Sequence, residues 1–181
     1  MSREMIFVEL TVHGLAVDPQ GKSPVLLLRD SRSRILLPIL IGEFEAKSIL
    51  AELESRRAAR PRTHDLATSL VGELGGRILS VEIYRLHKGT FLARLCIRTA
   101  DGAEVRVECR ASDGIAMALR SDAPIRVETE VLTAAHPLDG AEVDPSESSV
   151  GFVANDDAQG KTRLLAELAE MEPSDFGEFE M

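Results

Sequence analysis

Phe91-Leu92-Ala93-Arg94-Leu95-Cys96-Ile97-Arg98-Thr99-Ala100-Asp101-Gly102-Ala103-Glu104-Val105-Arg106-Val107-Glu108-Cys109-Arg110 is the stretch whose reading decides the fold. Apolar and polar residues alternate on both sides of Ala-Asp-Gly, the pattern of two half-buried strands joined by a tight loop. A three-residue loop, Ala100 to Gly102 with Gly102 left-handed, pairs Thr99 with Ala103. Leu95 then faces Val107 and Ile97 faces Val105 on the side read as buried. On the other side Arg98 faces Glu104 and Arg94 faces Glu108, opposite-charge pairs that contribute up to ~1 kcal/mol each. A two-residue Asp-Gly loop would set Leu95 against Glu108 and is rejected. The same register puts Cys96 and Cys109 on opposite faces, so both are expected to stay reduced thiols.

Working outward, Arg110-Ala111-Ser112-Asp113 leads into a helix over 112–121, capped by Ser112, with Ile115, Ala118 and Leu119 as its apolar side. Upstream, residues 77–87 and 90–99 read as strands around the turn at Lys88-Gly89. Before them a helix starting near Thr63 turns Leu66, Leu70, Val71 and Leu74 inward and stops at Gly75-Gly76. Residues 5–13 alternate as a half-buried strand. Val25 to Leu28 and Ile35 to Ile41 form a second hairpin, placed at the sheet centre, with Pro38 marking an irregularity or an edge. Ala46, Ile49, Leu50 and Leu53 then give an amphipathic helix to about Arg57. Ile125 to Val127 is a short strand, and Glu128 to Ala135 a final helical turn or two.

The second hairpin with its helix and the Phe91–Arg110 hairpin with its helix are both strand, turn, strand, helix. They superimpose at an offset of 68 when Glu45 is set on Asp113, which suggests an internal duplication. The fold class is therefore α+β, a mixed or antiparallel sheet built from two such units with helices packed on it. Residues 1–136 form the domain, 137–160 an acidic linker, and 161–181 a short helix and a tail whose Phe176 docks on the body.

Length and composition agree with this division. A chain of 181 residues fits one domain of ordinary size with an appendage. No apolar run approaches the ~20 residues of a membrane span, and the N-terminus lacks the shape of a signal peptide. Two cysteines make no disulfide framework, which points to the cytoplasm and away from a secreted scaffold. The net charge of −9 is unevenly spread: residues 137–181 hold twelve of the thirty acids against Lys161 and Arg163, leaving 18 acidic and 19 basic residues in the body. Global charge thus excludes no class of partner.

Three helix starts concentrate chemistry. Arg60-Pro61-Arg62-Thr63-His64-Asp65 offers forked donors for phosphate oxygens, an imidazole that ordinarily titrates near neutrality, and a carboxylate to orient it or hold a metal. Arg110, Ser112 and Asp113 repeat an arginine, a hydroxyl and an acid at the next strand end. Glu43 and Glu45 open the first helix and, with Asp65 and Asp113, are the candidate ligands of a divalent cation. Plain helix capping is the competing account of each: Thr63 and Ser112 as caps, the acids complementing helix dipoles by about 0.3–1 kcal/mol each. No zinc-ligand spacing or glycine-rich phosphate loop is present.

These junctions resemble the bifunctional nuclease (BFN) family, widespread in bacteria and related to plant defence nucleases. The resemblance is carried by Leu37-Pro38-Ile39-Leu40-Ile41-Gly42 with Glu45-Ala46, by Arg60-Pro61-Arg62-Thr63-His64-Asp65-Leu66, by Gly89-Thr90-Phe91-Leu92-Ala93-Arg94-Leu95, and by Arg110-Ala111-Ser112-Asp113 with Ala123-Pro124-Ile125. Pro173-Ser174-Asp175-Phe176 also looks like the family's ending. The family usually carries an aromatic where Leu40 and Leu92 stand, Pro where Ala111 stands and Ala where Gly114 stands. The resemblance implies an α+β fold, cleavage of DNA and RNA, and homo-oligomers, a dimer being favoured.

Two functions follow as expectations. In the first the chain is a nuclease: Arg60, Arg62, Thr63, Arg110 and Ser112 bind the phosphodiester, His64 moves protons, and Glu45, Asp65 and Asp113 position it or bind Mg²⁺ or Mn²⁺. In the second the same pocket belongs to a non-enzymatic binding or regulatory module for an anionic ligand or protein partner.

Overall fold

The computed structural model describes residues 5–17, 23–30, 35–56, 58–135, 138–139 and 153–154. The strands, in chain order, are β1 (Phe7–Val17), β2 (Pro24–Asp30), β3 (Ile35–Leu40), β4 (Arg77–His87), β5 (Thr90–Arg98), β6 (Glu104–Arg110), β7 (Ile125–Glu128), β8 (Leu138–Asp139) and β9 (Val153–Ala154). They make one mixed sheet in the order β6-β5-β4-β7-β1-β2-β3-β8, with β9 on β1. The β4–β7 pair is parallel and the other pairs are antiparallel. The helices are α1 (Glu43–Leu53), α2 (Thr63–Glu73), α3 (Ala111–Arg120) and α4 (Thr129–Ala134).

The deciding hairpin has the expected register. Thr99 N–H donates to the Ala103 carbonyl at 2.8 Å, Gly102 is left-handed at φ 86, and Leu95 pairs with Val107 and Ile97 with Val105. One inference from it fails. Leu95 is buried, but Val105 and Val107 are 41% and 47% exposed, because among the described residues β6 is the last strand at this end of the sheet. Arg94 also leaves Glu108 for Glu82 on β4, at 2.8 Å, and Glu108 accepts from the Tyr84 hydroxyl instead.

Two placements elsewhere are corrected. The β2–β3 hairpin lies toward one end of the sheet, the centre being β4, β7 and β1. Pro38 on β3 faces Leu27, and with only the two-residue β8 beyond it, its missing N–H is tolerated on the edge side. Strand β1 runs to Val17, beyond the expected end at 13, because a register shift between Val12 and Gly14 breaks the alternation there and lets Leu15 and Ala16 both be buried. The turn at 18–21, Arg57, and the tail helix and Phe176 lie outside the described residues.

Helix α2 is rotated from its expected setting. Leu66, Leu70 and Leu74 are 55%, 53% and 78% exposed, and the inward side is His64, Ala67 and Val71. The small Ala67 lets the helix lie close on its neighbours, which brings the imidazole inward. Helix α3 achieves similar closeness against β4 through Gly114, where a Cβ would come within 2.5 Å of Val81 Cγ2 and 3.0 Å of Cys109 Sγ. Aliphatic residues from both sides, among them Leu10, Leu28, Ile49, Val81, Ile83 and Ile115, fill the core between sheet and helices.

Candidate functional site

The three helix starts meet. Helix α1 follows β3 directly, α3 follows β6 directly, and α2 packs against α3, so the N-terminal turns of all three helices border one open groove of about 760 Å³. Its walls include Glu45 and Ser48 from α1, Thr63 and His64 from α2, and Arg110 and Asp113 at the start of α3.

A line of polar contacts crosses the groove. His64 Nδ1 lies 2.9 Å from Ser48 Oγ and His64 Nε2 lies 3.1 Å from Asp113 Oδ1. Arg110 donates to both oxygens of Asp113, from Nε at 2.7 Å and Nη2 at 3.1 Å, and Nη2 reaches Glu45 Oε1 at 2.7 Å. Burial alone would push the Asp113 carboxyl up, but Arg110 and His64 outweigh it and hold it below the ordinary carboxylate range. The bond to Asp113 in turn raises Arg110, a guanidinium that stays charged with most of its side chain facing water. The His64 side chain is 15% exposed, so the imidazole is held but can be reached from the groove.

Asp65 points the other way, as adjacency on a helix requires. Its Oδ2 accepts from the Arg62 N–H at 2.7 Å, and its Oδ1 accepts from Arg120 Nε at 2.5 Å. These contacts, the amide first, hold its carboxyl below its ordinary value. Arg120, 6% exposed, also donates to the Ala116 carbonyl and to the carbonyl and hydroxyl of Ser48. A second hollow of about 400 Å³ borders Asp65, Arg120, Arg56 and Arg62.

The remaining candidates separate. Arg62 lines both hollows, whereas Arg60 is exposed and lines neither. Thr63 is on the groove wall but is not the cap of α2: Arg62 takes that position, with Asp65 accepting its N–H. Ser112 is buried inside the first turn of α3, whose cap position is Arg110, so it neither caps nor faces the groove. Glu43 is 4% exposed and ion-paired with Lys47. Of the four carboxylates offered to a cation, Glu43 goes to Lys47, Asp65 to Arg120, and Glu45 and Asp113 share Arg110, and among the described residues no three His, Cys, Asp or Glu groups converge as a metal cage. A cation at Glu45 and Asp113 would have to displace Arg110. Burial, then the Asp113 and Glu108 carboxylates, push the Cys109 thiol up to about 11, which disfavours the nucleophilic thiolate.

Sequence reasoning missed Ser48 and Arg120. The signal was a hydroxyl set among Ala46, Ile49 and Leu50 on the apolar side of α1, where an unpaired polar group would be costly. Arg120 gave no such signal, since a basic residue in a last helical turn has a sufficient local explanation.

A model of the bifunctional nuclease domain matches residues 26–138. An uncharacterized protein of Mycobacterium tuberculosis is 36% identical over 168 residues, covering 93% of this chain and 97% of its own length. Bifunctional nuclease 2 of Oryza sativa subsp. japonica is 26% identical over 117 residues, 63% of this chain and 36% of that protein. Bifunctional nuclease 2 of Arabidopsis thaliana is 26% identical over 107 residues, 58% of this chain and 32% of that protein. The match thus spans about a third of the length of each plant protein. Among the described residues no helix is long and apolar enough to cross a membrane.

Proposed function

From the premise that this chain belongs to the bifunctional nuclease domain family, we propose that it hydrolyses phosphodiester bonds of DNA or RNA in the groove between α1, α2 and α3. The single observation that carries this reading is the imidazole of His64 set between Ser48 and Asp113 on a groove wall that also presents Arg62 and Arg110.

Each residue has a part that its contacts support. Ser48, on a buried helix face, holds Nδ1, and Asp113 at the groove surface faces Nε2. His64 takes a proton from the attacking water as the new P–O bond forms, and returns it to the leaving ester oxygen as the old P–O bond breaks. Asp113 stabilises the imidazolium that exists between those events. Arg110 and Arg62 meet the phosphate oxygens and the charge that develops on them. Glu45 positions Arg110, and Asp65 with Arg120 positions α2 and Ser48. No step in this scheme runs through a metal; Mg²⁺ or Mn²⁺, where required, must exchange with Arg110 for Glu45 and Asp113. Nucleic acid inside the cell is the substrate class, in keeping with two cysteines that form no disulfide.

The test is hydrolysis of single-stranded DNA and RNA by rigorously purified protein, with Mg²⁺, with Mn²⁺ and with chelator. Loss of turnover in His64→Ala and Asp113→Asn, with folding intact, supports the reading. Equal turnover in both variants identifies a contaminating nuclease, and salt-dependent binding without turnover selects the binding module.

A further inference from the structure

Strand β6 ends the sheet, and among the described residues β5 is its one neighbour. Seven residues long, it carries no proline and pairs with β5 without a register shift, so its charges, Glu104, Arg106, Glu108 and Arg110, are what guards this edge against arbitrary partners. Its residues Glu104 to Glu108 are all exposed, Val105 and Val107 among them.

The backbone groups that face away from β5 are identifiable. The Thr99–Ala103 bond makes that pair a hydrogen-bonded one. Alternation along an antiparallel ladder then turns the N–H and C=O of Val105, Val107 and Cys109 toward β5, and those of Glu104, Arg106 and Glu108 outward. An added antiparallel strand must pair through these even-numbered residues.

The sequence Glu104-Val105-Arg106-Val107-Glu108-Cys109-Arg110 is complementary to its own reverse about Val107. We propose that β6 pairs antiparallel with β6 of a second copy of this chain, Val107 meeting Val107 on a two-fold axis. In that register Arg106 opposes Glu108 of the second copy and Val105 opposes Cys109, and Glu104 falls opposite Arg110, where Arg98 and the Asp113–Glu45 pair respectively already hold these two side chains. A slip of two residues one way sets Arg106 on Arg106 and Glu104 on Glu108. The opposite slip sets Glu108 on Glu108 and Arg106 on Arg110. Of these three registers, which overlap most of the strand, only the centred one sets no like charges on each other, and it does so with outward-facing backbone groups. The pairing ends at Arg110, so the second copy lies beside the strand end from which this groove-lining guanidinium projects.

The experiment uses the full chain. V107C places two thiols at a non-hydrogen-bonded pair on the axis, where strand Cα atoms approach within disulfide range. Mild oxidation is expected to give a covalent dimer, with wild type giving none. By sedimentation, Arg106→Glu and Glu108→Arg each weaken the dimer at least about tenfold, since two attractive pairs become repulsive, and the double swap restores it. A monomeric wild type with no V107C cross-link, the result if another segment covers this edge, overturns the proposal. A dimer unmoved by either swap also overturns it, and dissociation by Leu70→Glu instead would assign the contact to α2. These readouts are of mass, so they stand apart from nuclease activity.

Discussion

His64 Nε2 and Asp113 Oδ1 lie 3.1 Å apart although the two residues are 49 positions apart in the chain. Neither residue needs the other for its own helix. Their contact, with Ser48 on the far nitrogen of the ring, turns three local helix starts into one chemical arrangement.

If that arrangement is catalytic, its members differ in weight. Asp113→Asn keeps the shape but loses the charge that supports an imidazolium and anchors Arg110, and kcat is expected to fall about 10²–10⁴-fold. Ser48→Ala keeps the acid and leaves Nδ1 unheld, giving a smaller loss and a shifted pH–rate profile. Glu43→Gln, outside the groove, leaves kcat and KM unchanged. Steady-state kinetics on one oligonucleotide checks all three.

Arg120 predicts a stability effect separable from chemistry. Its guanidinium joins Asp65 on α2, Ser48 on α1 and the Ala116 carbonyl, and almost none of it is exposed. Arg120→Met removes charge-assisted bonds but leaves Asp65 partly solvated, so a loss of about 2–3 kcal/mol is expected. At this chain length that lowers Tm by roughly 4–12 °C, measurable by calorimetry.

Gly114 stands where the family usually has alanine. Alanine is worth up to ~1 kcal/mol more than glycine in a helix interior. Here its Cβ would sit 2.5 Å from a methyl of the fully buried Val81, and overpacking of that kind costs about 1–3 kcal/mol. Gly114→Ala is therefore expected to destabilise, and adding Val81→Ala to relieve it. Chemical denaturation of the single and double variants decides the sign.

The carboxyls of Asp65 and Asp113 are both depressed in the folded state. Their contribution to stability is thus fully present above the ordinary Asp pKa of about 4, and is lost as pH falls through the lower folded values. Wild type should lose stability on acidification with a steeper slope than Asp113→Asn. Parallel slopes in a pH series of urea melts would contradict this.

Much of the fold was legible because it depends on near neighbours. Alternation and one glycine determined the β5–β6 register, and the elements on either side followed from period and turn chemistry. Local pattern does not say what lies beyond a strand or helix. Val105, Val107 and the Leu66, Leu70 and Leu74 stripe all read as buried, and all are exposed, because β6 has no described outer neighbour and α2 packs by its small residues.

The site divides along the same line. The sequence by itself determined that arginines, an imidazole and acids cluster at three helix starts, since a helix N-terminus attracts such groups locally. Only the tertiary structure decided that His64 turns to Asp113 and Asp65 to Arg120, that Ser48 completes the line, and that Glu43, Arg60 and Ser112 stand outside it. Direction across a groove depends on how helices cross, and crossing is settled by contacts between residues far apart in the chain.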